Sequence, residues 1–314
     1  MTGACPVFRA RPGGPAGAHG TRRTGSMPVP EPPSRRQVDP AVPGLLPGAA
    51  GRAAHALVCR ALVRQAAEVL AVAHIPLMPL KGVLLAGWVY DVPGERIGTD
   101  VDLLVPPALF EAALDALRRA GYAAASNPSC PYEATLWTSW TPVATDLHRS
   151  LFAPGRYRLP AEAVFARGRP DRDRYGAPVV LPDPLDAVAH AVGHAASDHM
   201  PETADRAARD VERLAMRCRL DPARTAAHLD TCGLGRATRY VLGPGARGGA
   251  FAREVLARLR PDPVGDLLAG AARALASRVD PGSLWGRGAG LLTNDSLARS
   301  AALAARVAFG RRTG

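Results

Sequence analysis

An α/β (α+β) core followed by a mostly helical C-terminal region is the fold class that the sequence predicts. Three observations carry it. Apolar and acidic residues alternate over Thr99–Val105, which is the period of a strand. Runs with helical spacing flank that segment at Arg52–Ala73 and Pro106–Ala120. Beyond about residue 160 the chain reads as one helix after another.

Taken in order, residues 1–50 hold ten prolines and eight glycines with scattered arginine, and so few apolar residues that burial cannot offset chain entropy. A disordered tail is expected there, and Met27 is a second candidate start. Arg52–Ala73 carries Ala56, Leu57, Cys59, Leu62, Ala66, Val69, Leu70 and Val72 at the spacing of one amphipathic helix. Ile75–Leu80 is a short apolar run, Gly82 signals a turn, and Val83–Tyr90 reads as a helix stopped before Pro93-Gly94. Thr99–Val105 places Val101, Leu103 and Val105 on one face and Asp100 and Asp102 together on the other. Pro106–Ala120 predicts a helix with Leu109, Ala112, Leu114 and Leu117 inside and Gly121 as its stop. Strands are expected at Tyr122–Ala125, Glu133–Ser139 and Val143–Leu151, then helices at Asp186–His199, Ala204–Leu220, Pro222–Cys232, Ala250–Leu259, Val264–Val279 and Ser296–Phe309. This divides the chain into a tail (1–50), a core (51–155) and a helical part (156–314).

The net charge of +11 is dispersed, without the dense basic tract of a dedicated nucleic-acid arm. It suits a protein that handles phosphate-bearing ligands. The pairs Arg35-Arg36 and Arg311-Arg312 read as solvated tail charges, and a weak attraction for nucleic acid through them stays open. Five cysteines, odd in number, widely spaced and without CxxC, point to neither a disulfide framework nor a zinc knuckle, and a cytoplasmic setting is expected. No apolar run reaches the length of a membrane span.

The chemistry concentrates around the carboxylates. Asp100 and Asp102, two apart on one strand, stand side by side, an arrangement that is costly without a neutralising cation. Asp146 adds a third carboxylate from a later strand. Oxygen-only ligands favour Mg²⁺ or Mn²⁺ over zinc, and such a site suits phosphoryl displacement. The bland alternative is a solvated acidic strand edge. Lys81, the one lysine among 39 lysines and arginines, lies nineteen residues before Asp100, beside Gly82.

The segments Leu80-Lys81-Gly82, Arg96, Asp100-Val101-Asp102-Leu103-Leu104-Val105, Asp146-Leu147-His148, His194-Ala195-Ala196 and Arg206-Ala207-Ala208-Arg209-Asp210 together resemble the nucleotidyltransferase superfamily with the DNA polymerase β-like fold. The likeness is greatest to a bacterial branch designated only as nucleotidyltransferase family proteins, and covers about residues 52–240. It implies a mixed sheet flanked by helices. It implies that Asp100 and Asp102 bind metal, that Asp146 helps hold the ion activating the acceptor hydroxyl, and that Lys81, Gly82 and Arg96 meet the nucleotide, Arg96 either on a phosphate or on an aspartate that orders its loop. Many members carry Gly-Ser or Gly-Gly in the turn, whereas Lys81-Gly82-Val83 offers no hydroxyl, so triphosphate handling falls to Lys81 and backbone amides.

The expected reaction is Mg²⁺-dependent transfer of a nucleotidyl group from an NTP to a hydroxyl or phosphate acceptor, whether small molecule, peptide, protein or RNA end. Two other classes compete. One is a noncatalytic regulatory or antitoxin-like partner on the same scaffold. The other is a metal phosphohydrolase built on His190 and His194, which are i and i+4 on a helix with Asp198 and His199 beyond. Those histidines otherwise pack between helices, with Asp210 as a candidate partner, and His148, on the strand face of Asp146, either orients it or is a partly buried polar residue. Tyr132, Trp137 and Trp140 are read as core, with base stacking the alternative.

Overall fold

The computed structural model describes residues 48–126, 132–198, 201–244, 248–278 and 292–295. The expected tail lies outside the described residues as far as 47, as do His199, the helix expected at Ser296–Phe309 and both arginine pairs. Residues 48–50 open a helix instead.

Helix α1 (Gly48–Val72) buries Cys59, Leu62, Val63, Ala66, Ala67 and Leu70, a stripe at three- and four-residue spacing. Leu57 and Val72, expected on that stripe, face solvent. The chain then forms β1 (Met78–Pro79), α2 (Lys81–Trp88), β2 (Val101–Leu104), a 3₁₀ turn (Pro107–Leu109), α3 (Phe110–Arg119), β3 (Ala123–Ser126), β4 (Glu133–Thr138) and β5 (Thr141–His148). The five strands make one sheet in the order β1-β2-β5-β4-β3. It is mixed: β2 and β5 are parallel and the other pairs antiparallel.

Strand β2 sits inside the sheet, and Val101, Leu103, Leu104 and Val105 are wholly buried. A strand covered on both faces reads as a nearly continuous apolar run, so an aspartate within it is conspicuous. Helices α1 and α2 lie against β2, and α3 packs on α1. The inner face of α3 is Phe110, Ala113, Leu114 and Leu117, with Ala113 in place of the expected Ala112.

The C-terminal part is helical, as expected: α4 (Ala161–Arg167), α5 (Pro184–Asp198), α6 (Pro201–Cys218), α7 (Pro222–Thr231), α8 (Gly235–Leu242), α9 (Ala250–Arg258) and α10 (Pro263–Ala276), with a hairpin of β6 (Arg169–Asp171) and β7 (Val179–Leu181) between α4 and α5. Three of these helices, α5, α7 and α10, begin with Asp-Pro. Asp221 accepts from the Arg224 amide and Asp262 from the Gly265 amide, each at 2.8 Å, with proline at the first helical position where no donor is lost. Helix α4, the hairpin and α8 escape the sequence reading because each is too short to show a period. No helix among the described residues is long and apolar enough to cross a membrane.

One buried carboxylate ties this half together. Asp186, in the first turn of α5, accepts two bonds from Arg167 on α4, both 2.9 Å, and stands 2.9 Å from His228 Nε2 on α7. Burial opposes its charge, but His228 and Arg167 outweigh that and hold its carboxyl below the usual range. The hydrogen bond to Asp186, then that to Cys232, raises His228 to about 9. A histidine raised above its ordinary value stabilises the fold fully below about pH 6.5 and loses that contribution as pH climbs through about 9. Urea titrations of the wild type should therefore show stability falling between those values. Asp186→Asn should remove that slope and cost about 2 kcal/mol at neutral pH, because it strands two partly exposed cations.

Candidate functional site

The parallel register of β2 and β5 sets Asp102 opposite Asp146, and Asp100 precedes β2 by one residue. One carboxylate oxygen from each of the three lies within 4.8 Å of the others. Opposite ligands of an octahedral Mg²⁺ stand about 4.2 Å apart, so shifts of a fraction of an ångström would let all three share an ion. Oδ1 of Asp146 is buried with no hydrogen-bond partner. A buried carboxylate oxygen without a donor is costly, and a cation is the partner that fits it. Among the described residues this is the one cluster of three potential metal ligands of the His, Cys, Asp or Glu type.

Asp102 is 3% exposed and is the best supported of the three. Its Oδ1 receives Lys81 Nζ at 2.7 Å and lies 2.9 Å from His148 Nε2. Glu133 Oε2 lies 3.7 Å from the other nitrogen of that ring. His148 thus reaches across to Asp102, where the sequence suggested Asp146: it sits opposite Leu104 in the register, two residues beyond the Asp102–Asp146 pair. Burial alone would raise the Asp102 carboxyl, but Lys81 and His148 override it and hold it far below the usual range. Asp100 goes the other way. Burial first, then the charges of Asp102 and Asp146, push it up to about 6, with Lys81 opposing.

The turn differs from its sequence reading. Lys81 itself takes the left-handed conformation, φ 49°, and is the first residue of α2, so Gly82 lies inside the helix. What requires glycine at 82 is a close approach: a Cβ there would lie 3.2 Å from the Gly98 Cα and 3.5 Å from Arg96 Nη1. The Leu80 amide donates to the Asp102 carbonyl at 2.9 Å, which fixes the start of α2 beside β2.

The segment between α2 and β2 is anchored from both sides. Asp210, buried on α6, accepts from Tyr90 Oη at 2.6 Å and from Arg96 Nε at 3.0 Å. Of the two expectations for Arg96, this is the pairing with an aspartate. Glu95 pairs with Arg213 of α6, and His55 Nε2 on α1 lies 2.7 Å from the Gly98 carbonyl. Beside this segment opens a cleft of ≈ 340 Å³, whose lining includes Lys81, Asp100, Asp102, His194, Thr203 and Arg206.

His190 and His194 are packed against each other, ring centroids 6.1 Å apart, and burial pushes both far below their ordinary value, His190 to about 3. Asp210, suggested as their partner, is taken by Tyr90 and Arg96. Trp140 is half exposed and donates to Gln65 at 3.0 Å, so it is not core, and Tyr132, Trp137 and Trp140 do not line the cleft. The sequence reading missed the roles of Glu133, Gly98, His55 and Tyr90. Only Gly98, standing two residues before Asp100, carried a local signal.

A family model described as "Uncharacterised nucleotidyltransferase" matches residues 36–243. No curated protein matches the chain.

Because Asp100 takes up its proton more readily when folded, ionising it costs stability as pH rises from the ordinary 3.8 through about 6. In metal-free buffer at pH 7.5, Asp100→Asn should therefore raise stability by roughly 1–2 kcal/mol. Millimolar Mg²⁺ should raise the Tm of the wild type more than that of the variant. This difference should fade as pH falls through about 6, where the proton displaces the cation; thermal melts at stepped pH check it.

Proposed function

The chain belongs to this family of uncharacterised nucleotidyltransferases, and from that premise we propose that it moves an NMP group from an NTP to a hydroxyl or phosphate acceptor, using Mg²⁺ or Mn²⁺. The observation that carries this reading is the convergence of Asp100, Asp102 and Asp146, with an unpartnered buried oxygen on Asp146, beside a cleft large enough for part of a nucleotide. A bound divalent cation would neutralise phosphate charge and act as a Lewis acid. The three aspartates would hold it. Lys81 and His148 both engage Oδ1 of Asp102 and keep its carboxylate ionised.

In the reaction the acceptor oxygen attacks the α-phosphorus, the bond to the bridging oxygen of the β-phosphate breaks, and pyrophosphate leaves with the electron pair. The chain's part is placement: it presents charge and fixed oxygens where a triphosphate lies, the contribution that dominates phosphoryl transfer. The acceptor class stays as broad as the sequence left it: small molecule, peptide, protein or RNA end.

Purified protein incubated with Mg²⁺ and each of the four α-labelled NTPs, with cell extract as the source of acceptor, should release pyrophosphate and transfer label. The double variant Asp100→Asn, Asp102→Asn keeps the shapes but loses the charges, and should be at least about 10³-fold slower. Equal label transfer by both proteins would sink the assignment. Silence from both, without Mg²⁺-dependent nucleotide binding, would favour the noncatalytic partner.

A further inference from the structure

The groups that the sequence assigned to phosphate are committed elsewhere. Lys81 Nζ is 2.7 Å from Asp102 Oδ1, Arg96 is bound through Nε to Asp210 and through Nη1 to the Ile97 carbonyl at 2.8 Å, and Gly82 is packed against Gly98. An anion entering the cleft would compete with a buried carboxylate for either cation. The grip on a triphosphate therefore has to come from another wall.

That wall is α6. Of the cations lining the cleft among the described residues, Arg206 is the third. It is exposed and makes no hydrogen bond or ion pair within contact distance among the described residues. Asp210, one turn on, feels its charge, but Asp210 Oδ1 is taken by Tyr90 and Arg96 and Oδ2 by Arg96. Thr203 lies three residues earlier, on the same helix face, and lines the same cleft. The cleft thus has carboxylates for a cation on one wall and a hydroxyl with an uncommitted guanidinium on another. A guanidinium fork is the side chain best matched to phosphate oxygens. A metal-bound polyphosphate is the ligand complementary to both walls at once.

We propose that Arg206, assisted by Thr203, binds the β- and γ-phosphates of the donor, so that the helical part, and not the glycine segment, supplies the triphosphate site. This rests on the nucleotidyl-transfer reading. Thr203 supplies a hydroxyl that the Lys81-Gly82-Val83 segment lacks.

The test is calorimetric titration of the full chain with Mg²⁺ and four classes of probe: the four NTPs, the corresponding NMPs, the nucleosides, and inorganic tripolyphosphate. For wild type, at least one NTP and tripolyphosphate should bind. Arg206→Ala should weaken both by about 10- to 100-fold and leave the Tm and the affinity for the matching NMP unchanged. Arg206→Lys, which keeps charge but loses the fork, should recover part of the loss. NTP and tripolyphosphate affinities in Arg206→Ala equal to wild type would overturn the inference while leaving nucleotidyl transfer standing. A wild type that binds no NTP would overturn both.

Discussion

The Asp102 carboxylate is the interaction on which the rest of the site depends. An aspartate inside a strand that is apolar on both faces cannot remain ionised on its own, because the desolvation penalty would neutralise it. Lys81 and His148 meet it on one oxygen, at 2.7 and 2.9 Å. Each of those partners is placed by a different piece of the fold: Lys81 by the left-handed start of α2, His148 by the parallel register of β5. A shift of one residue in that register would turn His148 to the other face and take Asp146 away from Asp102. The charge is therefore held by topology as much as by local contacts.

Once Asp102 is fixed as an anion, its neighbours divide in character. Asp100 is raised and Asp146 has an oxygen without a donor, so the cluster as a whole is short of positive charge even with Lys81 present. Two carboxylates with opposite shifts, separated by one residue, thus differ in charge: Asp102 stays ionised, while Asp100 takes up a proton near pH 6. Around this, the cations follow a division of labour. Arg96 and Arg167 are consumed by buried aspartates, whereas Arg206 lines the cleft without an ion-pair partner among the described residues.

The segment between α2 and β2 transmits the arrangement to the helices. Tyr90, Glu95 and Arg96 all bond to α6, and His55 holds the Gly98 carbonyl from α1. Gly82 and Gly98 let two backbones meet where any side chain would push them apart. The wall that carries Thr203 and Arg206 is thereby positioned relative to Asp100 by a few polar contacts, an economical way to align the two sides of a cleft.

Much of this was legible in the chain itself. Alternation over Thr99–Val105 was enough to put Asp100 and Asp102 on one side of a strand, and the later Asp146 on another, because a period of two is a local property. Helical spacing identified α1, α3, α5, α6, α7, α9 and α10, while α8 and the β6–β7 hairpin were too short to leave a period. What the sequence could not contain was partnership. Lys81 looked like a phosphate ligand and is a carboxylate's counter-ion; Gly82 looked like a turn and is a contact surface; His148 was matched to Asp146 and serves Asp102. The residues' types by themselves pointed to three carboxylates, Asp100, Asp102 and Asp146, that could share a metal ion. Which cations are paired with carboxylates and which are not was decided only by the tertiary structure, since pairing between groups 21, 46 and 114 residues apart is a matter of distance in space, to which spacing along the chain is blind.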